Sequence, residues 1–425
     1  MYDAIIVGAR CAGSPTAMLL ARKGYRVLLV DRATFPSDTM STHYIHQHGV
    51  GRLDRWGLLD PVKASNCPPI RTLKIAFGQF LLAGAPPPVH GIENGYSPRR
   101  RVLDKILFDG AVRAGTEVRE GFNVQEILFD GPRVVGIRGG RANNPSVEER
   151  ARIVIGADGL RSLVARVVRP KEYYVKPVLG CAYYTYWSGV PLEGFEIYRA
   201  DRRLIFAMPT NDGLTCIGVA WPIREWEAYK ANFEANYLAT IDRSPALGVR
   251  VRSGRREERF IGAATLPNYY RKPYGPGWAL VGDAGYHKDP STASGISDAF
   301  RDAELLAGAI DAGFSGRESL TKALTGYERA RNRTSLPTYN LFTTHIASFE
   351  PLMPEFTELL QALRGNQQGI DHFLGILVGA VPVHRFLSPL NMLSIMGVGG
   401  FVRALRARLS RLAPGRPVST APTIR

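Results

Sequence analysis

Gly8, Arg10, Gly13 and Asp31 have the types and spacing to hold a dinucleotide. Gly8 follows the apolar run at residues 4–7, and a glycine there permits a tight turn. Gly13 permits close backbone approach where the next helix begins, and the unpaired amides and dipole of that helix start attract a pyrophosphate. Asp31 closes a second apolar run at residues 26–30, where a carboxylate accepts hydrogen bonds from ribose hydroxyls. Arg10 stands where the usual pattern has its second glycine; its side chain either swings outward or lies beside a phosphate. The competing reading is a glycine turn without a ligand, and the placement of Asp31 argues against it.

These residues need a strand, a turn, a helix and a second strand, in that order. Residues 4–7 read as a buried strand, 15–23 as a helix, Gly24 and Tyr25 as a turn, and 26–30 as the second strand. Two later segments again place glycine and aspartate after an apolar run. Gly156, Ala157, Asp158 and Gly159 follow residues 152–155 and lead to Ser162, Val164 and Arg166. Gly282, Asp283 and Ala284 follow residues 278–281 and continue through Pro290, Ala293 and Gly295 into a helix over 296–310. Arg100, Leu103 and Leu107 open a further helix with an apolar face. The competing reading makes the two aspartates turn caps and Arg100 a surface charge.

Together the three motifs and Arg100 resemble the flavoprotein monooxygenase superfamily of aromatic hydroxylases, flavin halogenases and geranylgeranyl-reductase-like proteins. The likeness spans residues 4–300, about two thirds of the chain. It implies an α/β fold: a Rossmann-like, glutathione-reductase-like FAD-binding domain, an antiparallel β-sheet substrate domain and a helical carboxyl-terminal region. It also implies non-covalent FAD, with Asp158 and Gly159 near the pyrophosphate, Arg100 reaching the cofactor, and Gly282 and Asp283 at the ribitol. Pro290 and Gly295 would flank the isoalloxazine ring. Two positions depart from the hydroxylase pattern: Ala293 takes a glycine place and Ser297 an asparagine place.

The resemblance implies hydroxylation or epoxidation of a small aromatic or polycyclic molecule by molecular oxygen through a flavin C4a-hydroperoxide. Electrons would come from NAD(P)H, or as external reduced flavin from a separate flavin reductase. The alternatives are reduction of isoprenoid double bonds, halogenation, and FAD binding without catalysis. The resembled halogenases carry an early lysine and a Trp-x-Trp-x-x-Pro segment. Lys74 and the segment Val219, Ala220, Trp221, Pro222 do not match them. His287, between Asp283 and Pro290, is the candidate acid–base group, with Tyr286 and Asp289 as alternatives. The plainer reading has His287 packed behind the loop or bonded to backbone. His43, His46 and His48 form a second cluster without metal-site spacing.

Four units are expected: 1–170 and 266–335 for FAD, 171–265 for a substrate sheet, and 336–425 as a helical region. Strands are expected over 178–190, 195–198, 204–208, 214–220 and 259–264, with a turn at Asn211, Asp212 and Gly213 and a helix over 226–240. Tyr184, Tyr186 and Met208 are either pocket or core residues. Residues 401–412, with Arg403, Arg406, Arg408 and Arg411, read as a solvated helix packed on the protein or as one lying on an anionic membrane. Residues 414–425 read as disordered.

The net charge of +16, from 54 Lys and Arg against 38 Asp and Glu, favours anionic ligands, but no nucleic-acid-binding signature accompanies it. The four cysteines show no CxxC pair, which argues against a metal or iron–sulfur site and fits reduced thiols in the cytoplasm. The first residues already read as a strand, leaving no place for a signal peptide. The apolar run at 373–383 is too short for an integral membrane span. The expected partner is a small lipophilic or aromatic substrate.

Overall fold

The computed structural model describes residues 1–142, 144–345, 347 and 349–412. The apolar run at the amino terminus forms the strand Tyr2–Val7, which lies between Val27–Val30 and Val147–Gly156 in a parallel sheet. Trp278–Leu280 pairs with the far side of Val147–Gly156. The near-continuous burial of these strands fits a sheet covered on both faces. Val7 is in register with Val30 and Gly156, and Gly156 with Leu280. The four strands therefore end at one edge, from which Gly8, Asp31, Asp158 and Asp283 all emerge. That edge is where ligands bind in open parallel sheets.

The helices Gly13–Ala21, Arg100–Arg113 and Gly295–Phe314 form a layer against this sheet, with Leu20, Leu103, Leu107 and Phe300 in its core. Phe122–Asp130 and Arg133–Arg141 form an antiparallel hairpin that extends from Val147–Gly156.

A second sheet is built from Gly180–Ser188, Thr215–Pro222, Arg203–Pro209 and Gly194–Ala200, in that order. These match the expected strands, and Asp212 and Gly213 both adopt left-handed backbone (φ 65° and 66°) at the expected turn. The sheet is mixed rather than antiparallel. Thr72–Phe77 runs parallel to Gly194–Ala200, and Phe80–Gly84 forms the edge beyond it. In Thr72–Phe77 the buried residues Leu73, Ile75 and Phe77 alternate with less buried ones, so one face of the strand is buried, in a cluster with Leu359, Leu363 and Leu374 of the carboxyl-terminal helices. The stretch expected at 1–170 thus contributes these two strands to the second sheet.

One face of the second sheet is covered by Phe233–Ile241 and Pro245–Ser253. The other is covered by the carboxyl-terminal helices Pro354–Leu363, Gln367–Leu377 and Pro389–Leu412. The helical region does not begin at 336, because Leu320–His345 is one helix crossing that point. Residues 401–412 are the distal part of Pro389–Leu412, which bends at Gly397 (φ 63°). Residues 414–425 lie outside the described residues.

Candidate active site

Gly8 takes φ 105° at the end of the first strand. A side chain at Gly13 would meet the Gly8 carbonyl at 1.7 Å, so the turn closes only with glycine there. Asp31 braces this turn: its carboxylate accepts from the amides of Ala9 (2.7 Å) and Ala33 (2.8 Å) and keeps lone pairs for a ribose hydroxyl. Arg10 is drawn toward Asp104 (2.5 Å) and the Ser37 hydroxyl (3.0 Å), with its guanidinium over the Phe35 ring. At the place of the usual second glycine the arginine side chain is thus held by Asp104 and Ser37.

Arg100 meets the same Asp104 through two hydrogen bonds of 3.0 Å, and Cys11 Sγ lies 3.3 Å from it. Burial works against the Arg100 charge, but Asp104, and more distantly Asp283, hold it above the ordinary arginine range. Sequence reasoning missed Asp104; its i+4 spacing from Arg100 was the available signal.

Asp158 caps the helix Leu163–Val168 through the Leu163 amide (2.6 Å), while its other oxygen is buried with no partner among the described residues. Burial pushes its pKa up. Asp283 is exposed and its carboxylate bonds nothing among the described residues, while its backbone carbonyl accepts from Tyr269 (2.7 Å). Gly159 and Gly295 both have open space where a Cβ would sit. Gly295 opens the helix Gly295–Phe314, and Pro290 begins the short turn leading to it. An orphaned carboxylate oxygen, a free carboxylate, an open helix start and a closed glycine turn on one edge fit FAD.

His287 is half-buried, and its Nδ1 bonds the Pro267 carbonyl. Asp289 is buried, with one oxygen accepting from the Ser291 amide (3.0 Å) and burial raising its pKa. Its second oxygen makes no hydrogen bond among the described residues, and the side chain lines a narrow pocket with Thr42, Met208 and Ala293. The buried His46 ring bonds the Thr292 carbonyl (3.0 Å), and Ser297 Oγ accepts from the His46 amide (3.0 Å). His43 bonds the Tyr186 hydroxyl, and Tyr184 accepts from the Ser41 amide (3.2 Å). The histidine loop is therefore packed against the turn 290–297 and the second sheet.

Ser291 and the neighbouring sheet residues Ile197 and Leu204 also line a larger cavity of about 550 Å³ that runs into the carboxyl-terminal helices. Its lining is apolar except for Ser291, Arg199, Glu355 and Arg408. Lys74 takes no part in it: its ammonium pairs with Glu193 (2.7 Å).

A family model described as "FAD binding domain" matches residues 1–336. The chain belongs to this FAD-binding family. FAD is accordingly the cofactor, and the protein is an FAD-dependent oxidoreductase. Within the family's reach, a digeranylgeranylglycerophospholipid reductase of Methanosarcina acetivorans is 27% identical over 79% of this chain and 81% of its own length. A tryptophan 2-halogenase of Chondromyces crocatus is 25% identical over 76% of this chain and 64% of its own. The solved myxobacterial chondrochloren halogenase CndH shares the fold, with a TM-score of 0.76 at 24% identity over 98% of each chain. Among the described residues no helix is long and apolar enough to cross a membrane.

Proposed function

We propose that this protein reduces carbon–carbon double bonds in an isoprenoid or similarly long apolar substrate. The observation that carries the reading is the cavity: about 550 Å³, in the range of ligand sites, mostly apolar and reaching the turn at Ser291. Each buried methylene contributes about 0.8 kcal/mol, so such a channel selects a long hydrocarbon without specific polar contacts. The first expectation is a small aromatic or polycyclic substrate; a phenolic one would ask for a hydrogen-bonding group along the lining, and little is offered. Halogenation is disfavoured by the placement of Lys74 against Glu193. The similarity to a digeranylgeranylglycerophospholipid reductase supports the same choice.

Bound FAD, once reduced, supplies the hydride. Asp31, Arg100, Asp158 and Asp283 hold the cofactor, with Gly8, Gly13, Gly159, Gly282 and Gly295 giving it room. The apolar walls hold the alkene and exclude water. Asp289 is the proton donor we favour: its carboxyl O–H protonates the second alkene carbon and is recharged from solvent. His287, bonded to the Pro267 carbonyl, fixes the strand that presents Asp289.

The test is anaerobic. FAD-loaded protein reduced with dithionite is mixed with a geranylgeranyl lipid, and products are weighed by mass spectrometry. A gain of two hydrogens per double bond is expected. Unchanged lipid, or oxygen or halide incorporation in air, overturns the reading. Oxidation of NADH or NADPH, followed separately, distinguishes direct reduction from a partner reductase.

A further inference from the structure

The helix Pro389–Leu412 carries an apolar stripe that faces outward. Val398, Val402, Leu405 and Leu409 are spaced i, i+4, i+7 and i+11, which places them on one face. Val398 is 70% exposed and Leu409 58%, and before the bend Leu390 is 82% exposed. Exposed apolar residues scattered singly are ordinary, but a contiguous stripe marks an interaction site. Arg406 and Arg408, both exposed, flank it on the two sides. Arg403 is exposed but pairs with Glu358 (2.9 Å) on the helix Pro354–Leu363. No Asp or Glu follows Asp371 in the sequence.

The same helix lines the large cavity. Leu405 and Arg408 belong both to the cavity wall and to the exposed surface, as does Leu387 just before the helix, so the cavity reaches the outside beside the stripe.

We infer that this helix docks on the surface of an anionic lipid bilayer and opens the cavity to lipids held there. The leucines and valines enter the acyl boundary, and Arg406 and Arg408 sit among anionic headgroups. Docking rests on the helix alone; only lipid entry rests on the function proposed above. A second copy of the chain fits less well, because facing stripes would bring the flanking arginines toward one another.

The test uses the full FAD-loaded chain and co-sedimentation with vesicles of phosphatidylcholine alone or mixed with phosphatidylglycerol. Binding to the anionic vesicles is expected, weakening as salt rises. Val398→Glu with Leu409→Glu should abolish it. Arg406→Glu with Arg408→Glu should weaken it on the order of tenfold or more. A retained flavin spectrum shows that each variant is folded. Binding to neither vesicle, or equal binding to both that neither variant changes, overturns the inference. So does a solution dimer that Val398→Glu with Leu409→Glu dissociates while vesicle binding persists. Vesicle binding without lipid reduction upholds docking and sinks the proposed reaction. Reduction of detergent-dispersed lipid without vesicle binding sinks docking alone.

Discussion

The edge of the parallel sheet and the large cavity are built on opposite physical terms. At the carboxyl edge of the parallel sheet, charge is concentrated: the buried Asp104 joins Arg10, Arg100 and Cys11, and two aspartates keep unengaged oxygens. In the cavity beyond Ser291, the wall is mostly hydrocarbon, with Arg199, Glu355 and Arg408 as its charged residues. In the reading proposed above, the first region recognises one cofactor by directed bonds, and the second recognises a class of molecule mainly by apolar surface. Selectivity for FAD should therefore be sensitive to single atoms, and selectivity for substrate should not.

The sharpest probe lies where the regions meet. Asp289→Asn is predicted to slow substrate reduction by about 10²–10⁴-fold with FAD content unchanged. Because burial raises the Asp289 pKa, its acid form persists above the usual carboxylate range. The wild-type rate should fall as pH rises through that value, and the variant should lose this step. Stopped-flow reoxidation of the reduced flavin by substrate across pH checks both.

Next in size, Asp104→Ala leaves Arg10 and Arg100 without their buried counter-charge. Breaking such a cluster costs about 3–5 kcal/mol, to be read by denaturant unfolding. A loss below 1 kcal/mol, which an exposed pair would give, would erase the contrast drawn here.

Asp283→Ala should weaken FAD binding by about 1.5–3 kcal/mol, measured by titration of the apoprotein, without lowering stability in the absence of FAD. Equal FAD affinity in the folded variant would remove Asp283 from the cofactor site.

The last probe is acid, which acts on the buried histidine loop. Burial lowers the pKa of His43 and His46 to about 3 and of His48 to about 4. Unfolded histidine titrates near about 6.5, so the unfolded chain binds more protons below that pH. Their contribution is complete above about pH 6.5 and is lost as pH falls toward 4, by roughly 1.4 kcal/mol per pH unit per histidine. Thermal unfolding from pH 7 to 4 reads it, and His46→Asn should flatten the slope.

The same contrast explains what the sequence made legible. The placement of Gly8, Asp31, Asp158 and Asp283 at one sheet edge was readable because each stands directly after, or close behind, a short apolar run that reads as a buried strand. Arg10 was ambiguous because its partner, Asp104, is distant in sequence and identifiable only in space. Thr72–Phe77 was invisible as part of the second sheet, since its neighbour Gly194–Ala200 is more than a hundred residues away. The cavity was hidden for another reason. Ile75, Ile197, Leu341, Phe373 and Met396 come from separate segments and look like core until the fold leaves space between them. His287 illustrates the limit of proximity: sequence distance placed it by the flavin turn, and a hydrogen bond to Pro267 decided its direction.

The shared edge formed by Val7, Val30, Gly156 and Leu280 also bears on how the polypeptide matures. Three of these strands are translated early, but the last, Trp278–Leu280, emerges only after the whole second sheet has left the ribosome. Asp283 and the helix start at Gly295 come later still. Pairing so distant in the chain is slow to form. A nascent chain therefore holds a half-built nucleotide cradle through much of its synthesis, and flavin capture belongs to the closing stage of folding.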